Sequence, residues 1–128
     1  MRLLLDTCAL LWLVDDADQL SARATALLDD DSNEVFVSVA SYWEIVLKHN
    51  RGRLGLPCPP DEWFRAAVHP DAVLSIEAAD IEGVHRLGPP RDHADPFDRL
   101  LIATAQRLGL SLVTSDAAFR EYAVAVEW

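Results

Sequence analysis

Short apolar runs alternate with helix-patterned stretches along the whole chain, and this alternation narrows the fold more than any other feature. Residues 2–5, 34–37, 73–76, 110–114 and 124–126 read as strands. Leu3-Leu4-Leu5 is continuously apolar rather than alternating, as expected of a strand buried on both faces of a parallel sheet. Between the strands the pattern changes to helical. Residues 9–14 form a first helix, and Ser21 caps a second rich in alanine and leucine. Ser41 opens a third that runs to about Arg51 with Gly52 as its stop, and Asp61 caps a fourth through Val68. Residues 77–87 form a fifth, and Gly88-Pro89-Pro90 marks a long surface loop. Asp95-Pro96 opens a sixth, with Ile102, Ala105 and Leu108 as its apolar stripe and Gly109 as its stop. A short helix at 116–121 precedes the last strand. Strand–helix alternation of this kind predicts an α/β fold, a single-domain parallel sheet over residues 1–128 with helices on both faces.

Composition restricts the function classes. The chain has 128 residues and a formal net charge of −10. A protein that grips nucleic acid through a broad basic surface is therefore excluded, whereas one that meets it through bound cations is not. Two cysteines, Cys8 and Cys58, are too few for a disulfide framework and lack metal-ligand spacing. Cys8 sits in an apolar run and is expected to be buried, and Cys58 lies between two prolines in a loop. The apolar start is cut by Asp6, so no signal peptide or membrane span is expected and the protein reads as cytoplasmic.

Four acids fall where such a sheet binds ligands, outside the carboxyl ends of its strands. Asp6 ends the first strand, Glu44 lies in the helix after the second, and Asp116 follows the fourth by two residues. Asp98, in the first turn of the helix before the fourth strand, joins them if that helix starts beside the same edge. Clustered carboxylates repel one another unless protons or cations intervene. Hard oxygen donors suit Mg²⁺ or Mn²⁺, one or two ions, and no histidine–cysteine cluster suggests zinc. Each acid also has a local explanation. Asp6 and Asp116 sit where they can cap helices, and Asp95 can cap the helix in which Asp98 occupies the third position. Ser41 and Glu44 fit a capping box, and Glu44 with Lys48 fits an i, i+4 pair.

The segments Leu4-Leu5-Asp6-Thr7, Ser41-x-x-Glu44-Ile45 with Lys48, Gly52-Arg53-Leu54-x-Leu56-Pro57, Asp95-Pro96-Phe97-Asp98-Arg99-Leu100-Leu101-Ile102-Ala103 and Leu112-Val113-Thr114-Ser115-Asp116 occur in order along the chain. Together they resemble the PIN-domain family, and within it the VapC-type toxins of toxin–antitoxin pairs. The resemblance implies a PIN-like α/β/α sandwich and a Mg²⁺- or Mn²⁺-dependent endoribonuclease. It places Asp6, Glu44, Asp98 and Asp116 in the catalytic, metal-binding set, with Asp6 and Asp98 as main ligands. Asp95 is then a cap, a supporting group or a further ligand. The implied chemistry is hydrolysis by metal-activated water, leaving a 5′-phosphate and a 3′-hydroxyl. Implied partners are an RNA substrate, a cognate VapB-like antitoxin and a second copy of the chain in a homodimer.

Lys48 and Arg53 are the leading candidates for phosphate contacts, ahead of Arg51, Arg91, His93 and Arg99. Arg99 is expected to form a surface ion pair with Asp95 or another acid, and His93 to be a loop residue rather than a base. Trp12 and Trp43 are expected to pack in a core or interface. Two catalytic alternatives fail on residues. A haloacid-dehalogenase-type phosphatase needs a second Asp two residues after the first, where this chain has Cys8, and a phosphoacceptor receiver needs a late lysine, whereas none follows Lys48. The remaining alternative is a PIN-like module that binds RNA or protein without catalysis.

Overall fold

The computed structural model describes residues 1–90 and 92–128. Its five strands are β1 (Arg2–Leu5), β2 (Glu34–Ser38), β3 (Val73–Leu74), β4 (Ser111–Val113) and β5 (Val126–Glu127). They form one parallel sheet in the order β3-β2-β1-β4-β5. Leu5 at the end of β1 pairs with Val37 on one side and Val113 on the other. The chain first builds outward from β1 through β2 and β3, then returns to β1's other side for β4 and β5. This reversal opens a crevice at the carboxyl ends of β1 and β4.

Six helices cover the sheet: α1 (Thr7–Asp15), α2 (Ala22–Leu28), α3 (Val39–Asn50), α4 (Pro60–Ala67), α5 (Ala78–Arg86) and α6 (Pro96–Leu108). Successive side chains of a strand point to opposite faces, and β1 divides accordingly. Leu3 and Leu5 enter a core with Ala9 and Leu10 of α1, Ile45 of α3 and Trp63 and Phe64 of α4. Leu4 enters the other core, with Leu101, Ile102 and Ala105 of α6 and with Phe119. The expected α/β/α arrangement is thus present. No helix among the described residues is long and apolar enough to cross a membrane.

Several expected boundaries move, for physical reasons. The third strand stops at Leu74 rather than residue 76, because its partner β2 ends at Ser38 and offers nothing beyond the Ser38–Leu74 pair. Leu110 is not in β4: its N–H closes the end of α6 on the Ala105 carbonyl at 2.9 Å, across Gly109 at φ 65°. The last strand shifts to Val126–Glu127, and residues 117–121 form a 3₁₀ turn. β2 runs straight into α3, so the cap is Ser38, whose Oγ accepts from the Ala40 N–H at 3.1 Å. Ser41 and Glu44 therefore lie inside the helix on its buried face, and the capping-box reading of that pair fails. α4 begins at Pro60, so Asp61 sits in its first turn and is not its cap. Cys8, expected inside, is exposed, because α1 turns Thr7, Ala9 and Leu10 inward instead.

α5 packs against α6. Gly83 allows the close approach: a Cβ there would stand 3.0 Å from the Ala103 Cβ. One ion pair ties the two helices. Asp80 is inaccessible to solvent and accepts from Arg107 Nε at 2.7 Å, Arg107 Nη2 at 3.2 Å and the Glu77 N–H at 2.8 Å. Burial pushes the Asp80 carboxyl up, but the arginine and the helix-start N–H outweigh it and hold it below the usual aspartate range. Removing the arginine leaves a buried carboxylate without its two guanidinium donors and its counter-charge, a change that typically costs about 3 kcal/mol or more. Arg107→Met should therefore destabilise the chain by roughly that amount in urea unfolding. A loss under about 1 kcal/mol would show that the pair contributes no more than an exposed one.

Candidate metal centre

Local chain geometry brings the four acids to the carboxyl edge of the sheet. Asp6 directly follows β1 and caps α1, its Oδ1 accepting from the Ala9 N–H at 2.7 Å. Its own N–H extends the β1–β4 ladder to the Val113 carbonyl at 3.1 Å. Asp116 leaves β4 and caps the 3₁₀ turn, with Oδ1 on the Ala118 N–H at 2.9 Å. The buried Thr114 hydroxyl joins the two acids. It donates to the Asp6 carboxyl and accepts from the Asp116 N–H at 3.1 Å.

Glu44 comes from α3 and is 6% exposed. Its Oε1 accepts from Thr7 Oγ1 at 2.7 Å, and Thr7 Oγ1 also lies 3.1 Å from Ser41 Oγ. Its Oε2 meets Lys48 Nζ at 2.6 Å, the expected i, i+4 pair. Asp98 arrives by topology. α6 leads into the parallel strand β4 through Gly109 and Leu110, so it runs back along the sheet and starts at the carboxyl edge. Asp95 caps α6 through Oδ1, which accepts from the N–H groups of Phe97 at 2.9 Å and Asp98 at 3.1 Å. That accounts for Asp95 as a cap and leaves Asp98 in the first turn, directed at the other acids.

The acids repel one another. Burial pushes the Asp6 carboxyl up against the pull of Thr114 and the Ala9 N–H, and the charges of Glu44 and Asp116 push it further. Burial likewise pushes Asp98 up to about 6, against a hydrogen bond from His93, with Asp95 and Glu44 adding repulsion. The Cys8 thiol is raised by partial desolvation and by Asp6, Glu44 and Asp98, with Lys48 opposing, so its sulfur faces the same charges. A cluster of carboxylates held against such repulsion has the donor chemistry of a divalent-metal site, hard oxygen from each acid. Among the described residues, His93, Asp98 and Asp116 each offer a ligand atom, and these atoms lie within 4.8 Å of one another.

Other candidates are placed differently from expectation. Lys48 is in the site, whereas Arg51 and Arg53 are exposed after α3, and no ion pair among the described residues joins either to the acids. Arg91 lies outside the described residues. Among the described residues Arg99 makes no ion pair. It is buried, with Nη1 donating to the Tyr122 hydroxyl at 3.2 Å and Nη2 to the Gly88 carbonyl. Trp12 packs on Trp128, and Trp43, 55% exposed, meets Phe97 edge-on. His93 is a loop residue as expected, yet it is buried and its Nε2 lies 2.8 Å from Asp98 Oδ2. Only its place just before the α6 cap hints at this in the sequence.

The PIN domain model matches residues 3–125, and the chain belongs to that family, whose members use metals and are typically nucleases. Solved structures share the fold at low identity. VapBC2 from Rickettsia felis, bound to a DNA fragment from its promoter, superposes with a TM-score of 0.65 at 12% identity, over 98% of this chain and 97% of that one. FitAcB from Neisseria gonorrhoeae gives 0.65 at 20% identity, over 97% and 95%. A toxin–antitoxin complex from Klebsiella pneumoniae gives 0.61 at 17% identity, over 96% and 93%. At these identities the likeness establishes the fold. None of the curated proteins compared with the chain matches it.

The raised carboxyl of Asp98 has a consequence for metal-free stability. Its folded value of about 6 exceeds the unfolded value of about 3.9, so the folded state binds more protons between them. The stabilisation is complete below about pH 4 and is lost as pH rises through about 6, a loss of about 2–3 kcal/mol. In EDTA, the wild type should lose that much against Asp98→Asn between pH 4 and 7, and Mn²⁺ should restore it. Parallel pH profiles for the two proteins would contradict the crowding.

Proposed function

We propose that this chain is a Mg²⁺- or Mn²⁺-dependent endoribonuclease and the toxin of a toxin–antitoxin pair. The observation that carries the reading is the placement of Asp6, Glu44, Asp98 and Asp116 at one sheet edge, where burial and neighbouring carboxylates raise the Asp6 and Asp98 carboxyls. When bound, one or two such ions supply Lewis-acid activation of water and neutralise charge at the phosphodiester. In hydrolysis a water oxygen bonds to phosphorus while the bond to the 3′ oxygen breaks. The 3′ oxygen takes a proton to become a hydroxyl, and the phosphate stays on the 5′ side.

Asp6 and Asp98 would hold the ion, one fixed by the β1–β4 ladder and the other by the start of α6. Glu44, steadied by Thr7, and Asp116, steadied by its own cap, complete the carboxylate ring and orient water. Lys48 is only half-covered and lies beside Glu44, where its ammonium can meet a phosphate oxygen. Arg53 is an additional phosphate contact on the exposed turn after α3. The formal net charge of −10 makes the bound cations, rather than the protein surface, the main attraction for RNA. The same charge suits a VapB-like antitoxin with a basic segment. Homodimerisation and a cytoplasmic setting belong to the same reading, supported by the fold shared with toxin–antitoxin complexes.

The test uses purified antitoxin-free protein and structured RNAs with Mg²⁺, Mn²⁺ or EDTA, beside Asp6→Asn and Asp98→Asn. Discrete cuts in either metal are expected, absent in EDTA. Each variant should be slower by at least about 10²-fold, since a metal contributes several kcal/mol to the transition state. Folded protein that binds Mn²⁺ but cuts no RNA would favour the non-catalytic binding module instead.

A further inference from the structure

His93 is the buried polar side chain near the acids that the proposed chemistry does not use. It sits in the loop before α6, only 7% exposed, with its ring 4.9 Å from Phe119 and 5.9 Å from Tyr122. The loop is clamped from behind. The Tyr122 hydroxyl donates to the His93 carbonyl at 3.3 Å and accepts from Arg99, whose Nη2 donates to the Gly88 carbonyl. The ring's orientation is thereby set, and its Nε2 lies 2.8 Å from Asp98 Oδ2.

The two ring nitrogens have unequal surroundings. Nδ1 is buried and has no hydrogen-bond partner among the described residues. An ionised carboxylate only accepts, so the proton belongs on Nε2, and Nδ1 is left as a bare acceptor, which costs less than a buried unpaired N–H. A ring present only to fill space between Phe119 and Tyr122 would be better apolar. The unpaired nitrogen is tolerated because the other one holds Asp98.

We propose that His93 is a positioning residue of the metal site: its Nε2–H fixes Asp98 Oδ2, so that the carboxylate offers its other oxygen to the ion. The proposal rests on the metal-site reading given above. It makes His93 a partner of a ligand rather than a ligand, although its ring nitrogen lies near both Asp98 and Asp116. Nε2 is already engaged, and Mg²⁺ and Mn²⁺ favour oxygen donors. Groups that orient a ligand in this way typically change metal affinity 10- to 100-fold.

The experiment compares His93→Gln with His93→Leu. The two are similar in size, and only Gln carries an amide N–H that can replace Nε2–H. Mn²⁺ affinity is read from the electron paramagnetic resonance signal of free Mn²⁺, and folding from circular dichroism and thermal melting. His93→Leu should bind Mn²⁺ about 10- to 100-fold more weakly than wild type, and His93→Gln should recover most of the loss. Pulsed measurements on the wild type with Mn²⁺ should show no directly coordinated nitrogen. Unchanged Mn²⁺ affinity in folded His93→Leu would overturn the proposal, as would equal weakening of both folded variants or a coordinated imidazole in the wild-type spectrum. The spectrum decides the matter even if a variant fails to fold. Failure of the wild type to bind Mn²⁺ at all would instead bring down the metal-site reading, and this inference with it.

Discussion

Repulsion between carboxylates that share one edge, buried at Asp6 and Glu44 and partly covered at Asp98, is the constraint on which the rest of the structure turns. Asp6, Glu44, Asp98 and Asp116 would separate in a flexible chain, because water solvates each of them better alone. Here each is tied to backbone or to a neighbouring side chain. Asp6 and Asp116 are held by the N–H groups they cap, and Glu44 by Thr7 and Lys48. Asp98 is held by the first turn of α6 and by His93. These ties hold the oxygen donors together against repulsion, at a cost in stability that a divalent cation would remove on the proposed reading.

Topology makes such an arrangement possible. The strand order β3-β2-β1-β4-β5 puts β1 in the centre and sends the chain to one side of it through β2 and β3 and then to the other through β4 and β5. Asp6 therefore stands between the ends of β2 and β4, which deliver Glu44 and Asp116. α6 supplies the fourth acid from the opposite direction along the chain, since a helix leading into a parallel strand must begin at the edge where that strand ends. The helix is anchored to the sheet by Leu101, Ile102 and Ala105 and to α5 by the Arg107–Asp80 pair. Stability far from the site thus bears on where Asp98 stands.

The strands of the centre were legible because their signal is local: Leu3-Leu4-Leu5 is apolar on both faces, and Asp95-Pro96 is a strong helix start. Edge strands were overextended, since pairing at Val73–Leu74 and Val126–Glu127 is limited by where the partner strand ends, which no local pattern records. Ser41 looked like a cap because its spacing to Glu44 is right, yet Ser38 takes that role because β2 runs into α3 without a loop. Burial was the least legible property. Cys8 turns outward by one step of helix rotation. Arg99 turns inward because Gly88 and Tyr122, distant in sequence, supply its acceptors. His93 shows the same limit at the site: a histidine in a polar loop carries no mark of the carboxylate it meets until the loop is folded.

The central claim is that the four carboxylates form one metal centre. Crystals of the chain soaked in Mn²⁺, with data collected at the manganese edge, test it most directly. An anomalous peak bonded to Asp6 and Asp98 is expected, with Glu44 and Asp116 around it and His93 on Asp98 but not on the ion. Absence of a peak at the carboxyl edge of β1 and β4, or a peak elsewhere on the acidic surface, would contradict it.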